Sequence, residues 1–258
     1  MRLATLVAAP PGPERLPPLV IAHGLFGQAR NWSALSKRLA AAGRRVVAVD
    51  MRHHGATEPA PAGGYEEMAG DLADTMAAEG AGDLLGHSMG GKAAMAMALT
   101  RPGGLRRLVV ADIAPIAYGG RDHLPYIRAM QAVDLSRVER RSQAEAALAD
   151  AVPDRALRLF LVQSLELSPE GARWRLELDR LAEAMPRIMG FPELAATWDG
   201  PALFLAAGAA DYLTPSHRPR IRSLFPGAVF ETVEGAGHWL HAEKPEAFLA
   251  AVERFLSA

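Results

Sequence analysis

Short runs of continuous apolar residues punctuate this chain, each closing on a glycine or an acidic residue or just before a His-Gly pair. Residues 19–22 run into His23-Gly24, 46–49 into Asp50, 84–85 into Gly86 and 108–111 into Asp112. Two more come late, 202–207 before Gly208 and 229–233 before Glu234. Continuous rather than alternating runs predict strands buried on both faces. Between them lie segments of helical period: 31–42, closing at Gly43, 65–79, and 90–100, ending before Pro102. Strands alternating with helices predict an α/β fold, a mostly parallel central sheet with helices on both faces.

The alternation lapses between Pro115 and Gly200. Only helical patterns are read there, at 124–133, 142–152, 155–165 and 174–189. The expected organisation is a core domain of residues 1–115 and 200–258, with 116–199 inserted as a helical cap. At the N-terminus, a minimal apolar stretch with one positive charge meets Pro10, Pro11 and Pro13. A first strand ending in a proline turn fits that pattern better than a signal peptide.

Composition narrows the function. The 258 residues are 50% hydrophobic with a net charge of −1, which suits one core and supplies no basic footprint for nucleic acid. No run approaches the ~18 apolar residues of a membrane span. With 0 cysteines, disulfides, thiolate metal sites and a cysteine nucleophile are excluded, and a cytoplasmic home is favoured.

Chemistry concentrates in three places. Gly86-His87-Ser88-Met89-Gly90 lies between a predicted strand and a predicted helix, the context of a nucleophile elbow. Such a turn lifts the Ser88 hydroxyl above the sheet and aims the Met89 N–H and the positive helix end at the same space. His23-Gly24-Leu25-Phe26-Gly27 follows an early strand, and its Leu25 N–H is the second expected oxyanion donor. His23 itself is read as bonding backbone. Gly235-Ala236-Gly237-His238-Trp239 follows the last strand, so His238 is the expected general base. His53, His54 and His241 lack that setting and are read as structural or solvated.

Two aspartates compete to orient the imidazole. Asp211 follows the penultimate strand and Asp112 the strand before it, both at carboxyl ends. Asp179, in the cap, is a third candidate that a helix-surface role explains as well.

The chain also resembles a known family. His23 to Gly27, Asp50-Met51-Arg52-His53-His54-Gly55, Gly86 to Lys92 (GHSMGGK), Asp112-Ile113-Ala114-Pro115 and Gly237 to Pro245 together look like the YbfF/ABHD11-type esterases. The resemblance implies an α/β-hydrolase fold, a helical cap and cleavage of acyl esters or thioesters. It also implies that the aspartate of the DIAP motif can be the triad acid, which tips the choice towards Asp112 with Asp211 close behind.

The expected reaction is two-step acyl transfer on a small ester or thioester of short to medium chain, with no cofactor and no metal. Phe26, Trp239 and the cap residues Met130, Phe160 and Trp174 are expected to shape an apolar acyl pocket. Rival readings on the same fold are a cofactor-free perhydrolase, a carbon–carbon bond hydrolase and a non-catalytic ligand-binding protein.

Overall fold

The structure is a computed structural model that describes residues 1–120 and 122–258. Strands β1 (Ala4–Ala8) and β2 (Leu19–Ala22) open the chain, and helix α1 (Ser33–Ala41) leads to β3 (Val46–Asp50). Helix α2 (Tyr65–Glu79) precedes β4 (Asp83–His87), and α3 (Met89–Thr100) precedes β5 (Arg107–Ala111). The start of α2 is fixed where the Gly64 N–H donates to Glu67 Oε2 at 2.6 Å, and its end where Gly80 turns left-handed, φ 58°.

Next come α4 (Leu124–Gln131), α5 (Arg141–Ala147) and α6 (Arg155–Leu161). A hairpin of β6 (Leu165–Ser168) and β7 (Gly171–Trp174) follows, then α7 (Leu178–Met189). The sheet resumes with β8 (Ala202–Ala207), α8 (Arg218–Leu224) and β9 (Ala228–Val233). Helices α9 (Leu240–Glu243) and α10 (Pro245–Ser257) close the chain.

Seven strands form one sheet in the order β1-β3-β2-β4-β5-β8-β9, parallel throughout except for β1, which runs antiparallel to β3. The period-2 alternation of side chains divides each central strand between two cores. Val20, Val47, Leu84, Val110 and Phe204 join one core with residues of α2, α3 and α8. Ile21, Ala48, Leu85, Val109 and Leu205 join the other with residues of α1 and α10. No described helix is long and apolar enough to cross a membrane.

The insertion between β5 and β8 departs from the all-helical expectation. Residues 165–174 form an antiparallel hairpin, with Glu166 opposite Arg173 and Leu165 opposite Trp174. Alternation in Leu165-Glu166-Leu167 and Ala172-Arg173-Trp174 is a strand pattern, and Gly171 at φ 122° closes the turn. Helix α7 therefore begins at Leu178, not at Trp174.

Candidate active site

Parallel registry brings the carboxyl ends of β2, β4, β5, β8 and β9 to one edge of the sheet, where ligands bind in open α/β folds. In register, Ala22 pairs with Gly86, His87 with Ala111 and Ala111 with Leu205. The residues just past these strands thus converge.

Ser88 turns the chain from β4 into α3 with φ 53° and ψ −119°, a region that L-residues seldom occupy. Its N–H is held by the Ala111 carbonyl at 3.1 Å, and its own carbonyl accepts the Lys92 N–H at 3.0 Å. The glycines on either side are needed for closeness. A Cβ at Gly86 would lie 2.3 Å from the Gly90 oxygen, and one at Gly90 would lie 2.3 Å from the Ala22 oxygen.

From Ser88 a line of hydrogen bonds runs inward. Ser88 Oγ lies 3.0 Å from His238 Nε2, and His238 Nδ1 lies 2.8 Å from Asp112 Oδ2. Asp112 is fully buried at the end of β5, and its other oxygen accepts the Ala207 N–H at 3.0 Å. It too has positive φ, 48°, and its N–H donates to the Leu205 carbonyl at 2.9 Å. The aspartate is therefore locked on three sides.

Both ring nitrogens of His238 are occupied, so neither remains for Asp211. That residue lies in the loop after β8 and acts electrostatically on His217. Asp179 is exposed on α7 and accepts a hydrogen bond from Gln131, away from the imidazole.

Two aromatic neighbours fix the imidazole. Tyr212 stacks on it with ring centroids 3.9 Å apart and planes 24° apart. His87 Nε2–H donates to the His238 carbonyl at 2.8 Å. Burial, with the like-charge influence of His241 and His238, pushes His87 well below its usual pKa, so it stays neutral. Neither role was read from the sequence, because a stacking or bridging partner leaves no spacing signature.

The loop from His23 to Gly27 faces Ser88. Gly27 N–H donates to the Gly24 carbonyl at 3.0 Å, and Phe26 adopts φ 64°. Two buried histidines brace this turn. His23 Nδ1–H donates to the Gly24 carbonyl at 2.8 Å while its Nε2 accepts the Met51 N–H at 3.0 Å. His54 Nδ1–H donates to the Arg52 carbonyl at 2.7 Å, and its Nε2 accepts the Phe26 N–H at 3.1 Å. Burial pushes His23 down to about 4 and His54 to about 3, which keeps both neutral and able to accept. Leu25 and Met89 N–H groups have no acceptor among the described residues.

A cleft of about 240 Å³ opens over Ser88, lined by Phe26, Trp239 and, from the insertion, Tyr126, Leu157 and Phe160. Phe160 and Trp239 rings lie 5.4 Å apart. Met130 and Trp174 depart from the expected pocket. Trp174 Nε1–H donates to the Met130 carbonyl at 3.0 Å, and the two line a separate groove, because the hairpin turns Trp174 away from the cleft. His53 pairs with Glu177 at 2.6 Å, and His241 stacks on Trp32 with centroids 4.2 Å apart. Among the described residues, no three His, Asp or Glu side chains converge as a metal site.

Known proteins are similar to this chain in sequence and in shape. Residues 19–251 match the profile of the alpha/beta hydrolase family. The chain is 41% identical over 254 residues to the sn-1-specific diacylglycerol lipase ABHD11 of Mus musculus, covering 95% of this chain and 83% of that one. It is 37% identical over 242 residues to esterase YbfF of Escherichia coli, covering 93% of each. Among solved structures, a marine microorganism esterase superposes with a TM-score of 0.90 at 32% identity, over 98% of this chain and 99% of that one. The chain belongs to the alpha/beta hydrolase family, in its YbfF/ABHD11 branch.

Proposed function

We propose that this protein hydrolyses carboxylic esters, or thioesters, of short to medium acyl chains, with Ser88 as nucleophile, His238 as general base and Asp112 as the acid that orients it. The observation that carries this reading is the unbroken line from Ser88 Oγ through the imidazole to a buried carboxylate, 3.0 Å and 2.8 Å long at its two steps. A hydroxyl is a weak nucleophile until a neutral imidazole at this range takes its proton. Relatives named esterase and diacylglycerol lipase point the same way.

In this mechanism Ser88 Oγ bonds to the ester carbonyl carbon as its proton passes to His238 Nε2. Asp112 holds the Nδ1–H tautomer and offsets the imidazolium charge without taking the proton. The Leu25 and Met89 N–H groups, without acceptors among the described residues, donate to the oxyanion, and the N-terminus of α3 adds its positive end. As the carbonyl reforms, the bond to the leaving oxygen or sulfur breaks and His238 returns the proton to it. Water then adds to the acyl-serine by the same route and releases the acid. Phe26, Trp239 and Phe160 hold the apolar part of the ester, and residues 116–199 act as a cap over it.

A fluorophosphonate probe tests the nucleophile. Peptide mapping should find the adduct on Ser88, and Ser88→Ala should reduce nitrophenyl ester turnover to near background. Folded wild-type protein that neither reacts with the probe nor cleaves such esters would end this reading.

A further inference from the structure

The hydroxyl of Tyr118 joins the two loops that flank the imidazole of His238. Tyr118 stands six residues beyond Asp112, at the entry to the insertion. Its N–H donates to the carbonyl of Met189, the last residue of α7, at 3.2 Å, so that entry is tied to the end of the insertion's last helix. Lys92 braces the same corner. Its ammonium donates to the Met189 carbonyl at 3.2 Å and lies 4.8 Å from the centre of the Tyr118 ring. The Tyr118 hydroxyl, by contrast, serves the core. It accepts the Ala114 N–H at 2.8 Å, two residues after Asp112, and donates to the Tyr212 carbonyl in the loop after β8.

Tyr212 carries the ring that lies on the imidazole, with centroids 3.9 Å and planes 24° apart. The bonds from His238 to Ser88 and Asp112 lie in the plane of the imidazole and do not by themselves oppose a tilt about the line joining them. A ring laid on the face does oppose it. An aromatic face also favours a cation, so the stack strengthens as the imidazole takes the serine proton. Tyr212 is only half-buried, and its neighbour Asp211 is exposed. A phenol oxygen can donate and accept at once. Through that one atom the Tyr212 backbone is fixed to the stretch that carries Asp112, and the acid and the stacking ring share one frame.

We propose that Tyr118 is a positioning residue of this site: its hydroxyl sets the loop after β8 against the loop after β5 and so keeps the Tyr212 ring flat on His238. This rests on the proposed function and deepens it. Tyr118 acts through Tyr212, so its effect falls on the proton transfer and not on the hold over the substrate.

The test is steady-state hydrolysis of nitrophenyl butyrate by wild type, Tyr118→Phe, Tyr212→Leu and the double variant. Tyr118→Phe keeps the ring beside Lys92 and the backbone bond to Met189, and loses the hydroxyl alone. Its kcat should fall about fivefold to tenfold, within the range of one hydrogen bond, with KM within about twofold of wild type. Tyr212→Leu should lower kcat at least as far. In the double variant the loss should be that of Tyr212→Leu alone, because the hydroxyl has no ring left to place. Losses that multiply would mark a hydroxyl that merely holds the fold together, and would overturn the proposal. So would an unchanged kcat in Tyr118→Phe. An unchanged kcat in Tyr212→Leu has the same force, and that result stands even if Tyr118→Phe fails to fold. Wild-type protein without ester turnover would remove the proposed function too, whereas failure confined to the variants leaves that function standing.

Discussion

Each nitrogen of the His238 ring has its partner, Ser88 Oγ on one side and Asp112 Oδ2 on the other, and this arrangement separates the two competing aspartates. Asp112→Asn keeps the shape but offers an amide where the tautomer needs an acceptor. It should lower kcat by about 10⁴. Asp211→Asn should stay within about tenfold of wild type. Steady-state kinetics on a nitrophenyl ester checks both, and a collapse of Asp211→Asn alone would reverse the assignment. His54 acts at one remove. Its Nε2 accepts the Phe26 N–H and so holds the turn that presents Leu25. His54→Leu leaves a buried donor unpaired, worth about 1–3 kcal/mol. It should depress kcat more than it raises KM, since the oxyanion is met only in the transition state. Ser88 and His238 were legible in the sequence because an elbow and a glycine-flanked histidine carry local signatures. The choice of acid was not, because both aspartates follow strands and only the path of the intervening backbone decides which meets the ring. Tyr212 left no spacing to read, since its stacking depends on how the loop after β8 packs against the one after β9.

At the scale of elements, the strands were visible as apolar runs because both sheet faces are covered, and α2 because glycines bracket it at Gly64 and Gly80. The β6–β7 hairpin was overlooked. Its two strands have four residues each, too short to outweigh the helical pattern on either side. One consequence reached the site, where Trp174 was placed in a pocket it does not line. The elbow gives the sharpest prediction at this scale. Gly90→Ala sets a methyl 2.3 Å from the Ala22 carbonyl oxygen, on rigid backbone of β2. The variant should lose at least about 1–3 kcal/mol of stability. A urea midpoint equal to wild type would show that β2 and α3 can part without cost.

Across the whole molecule, 8 histidines are present and several are buried near the site. Burial pushes His23 to about 4, and His54 and His241 to about 3, while the unfolded chain titrates near the usual 6.5. Between those limits the unfolded state binds protons that the folded state refuses. Stability is therefore intact above pH 6.5 and declines as the pH drops towards 4, by up to about 1.4 kcal/mol per pH unit for each histidine. Urea unfolding at pH 7.5, 6.0 and 5.0 should show progressively lower midpoints, before ordinary carboxylates begin to protonate. Equal midpoints at pH 7.5 and 5.0 would contradict this account.

The carboxylate that meets His238 Nδ1 comes from the end of β5, not from the loop beyond β8. That loop lays Tyr212 flat on the imidazole, and its Ala209 N–H is tied to the Ala236 carbonyl at 2.8 Å, two residues before His238. An engineer seeking a wider or narrower substrate range can rewrite the exposed side chains of Ala209 and Asp211 beside Tyr212, while Leu213 stays buried in the core and the hydrogen-bonded line from Ser88 lies on other loops.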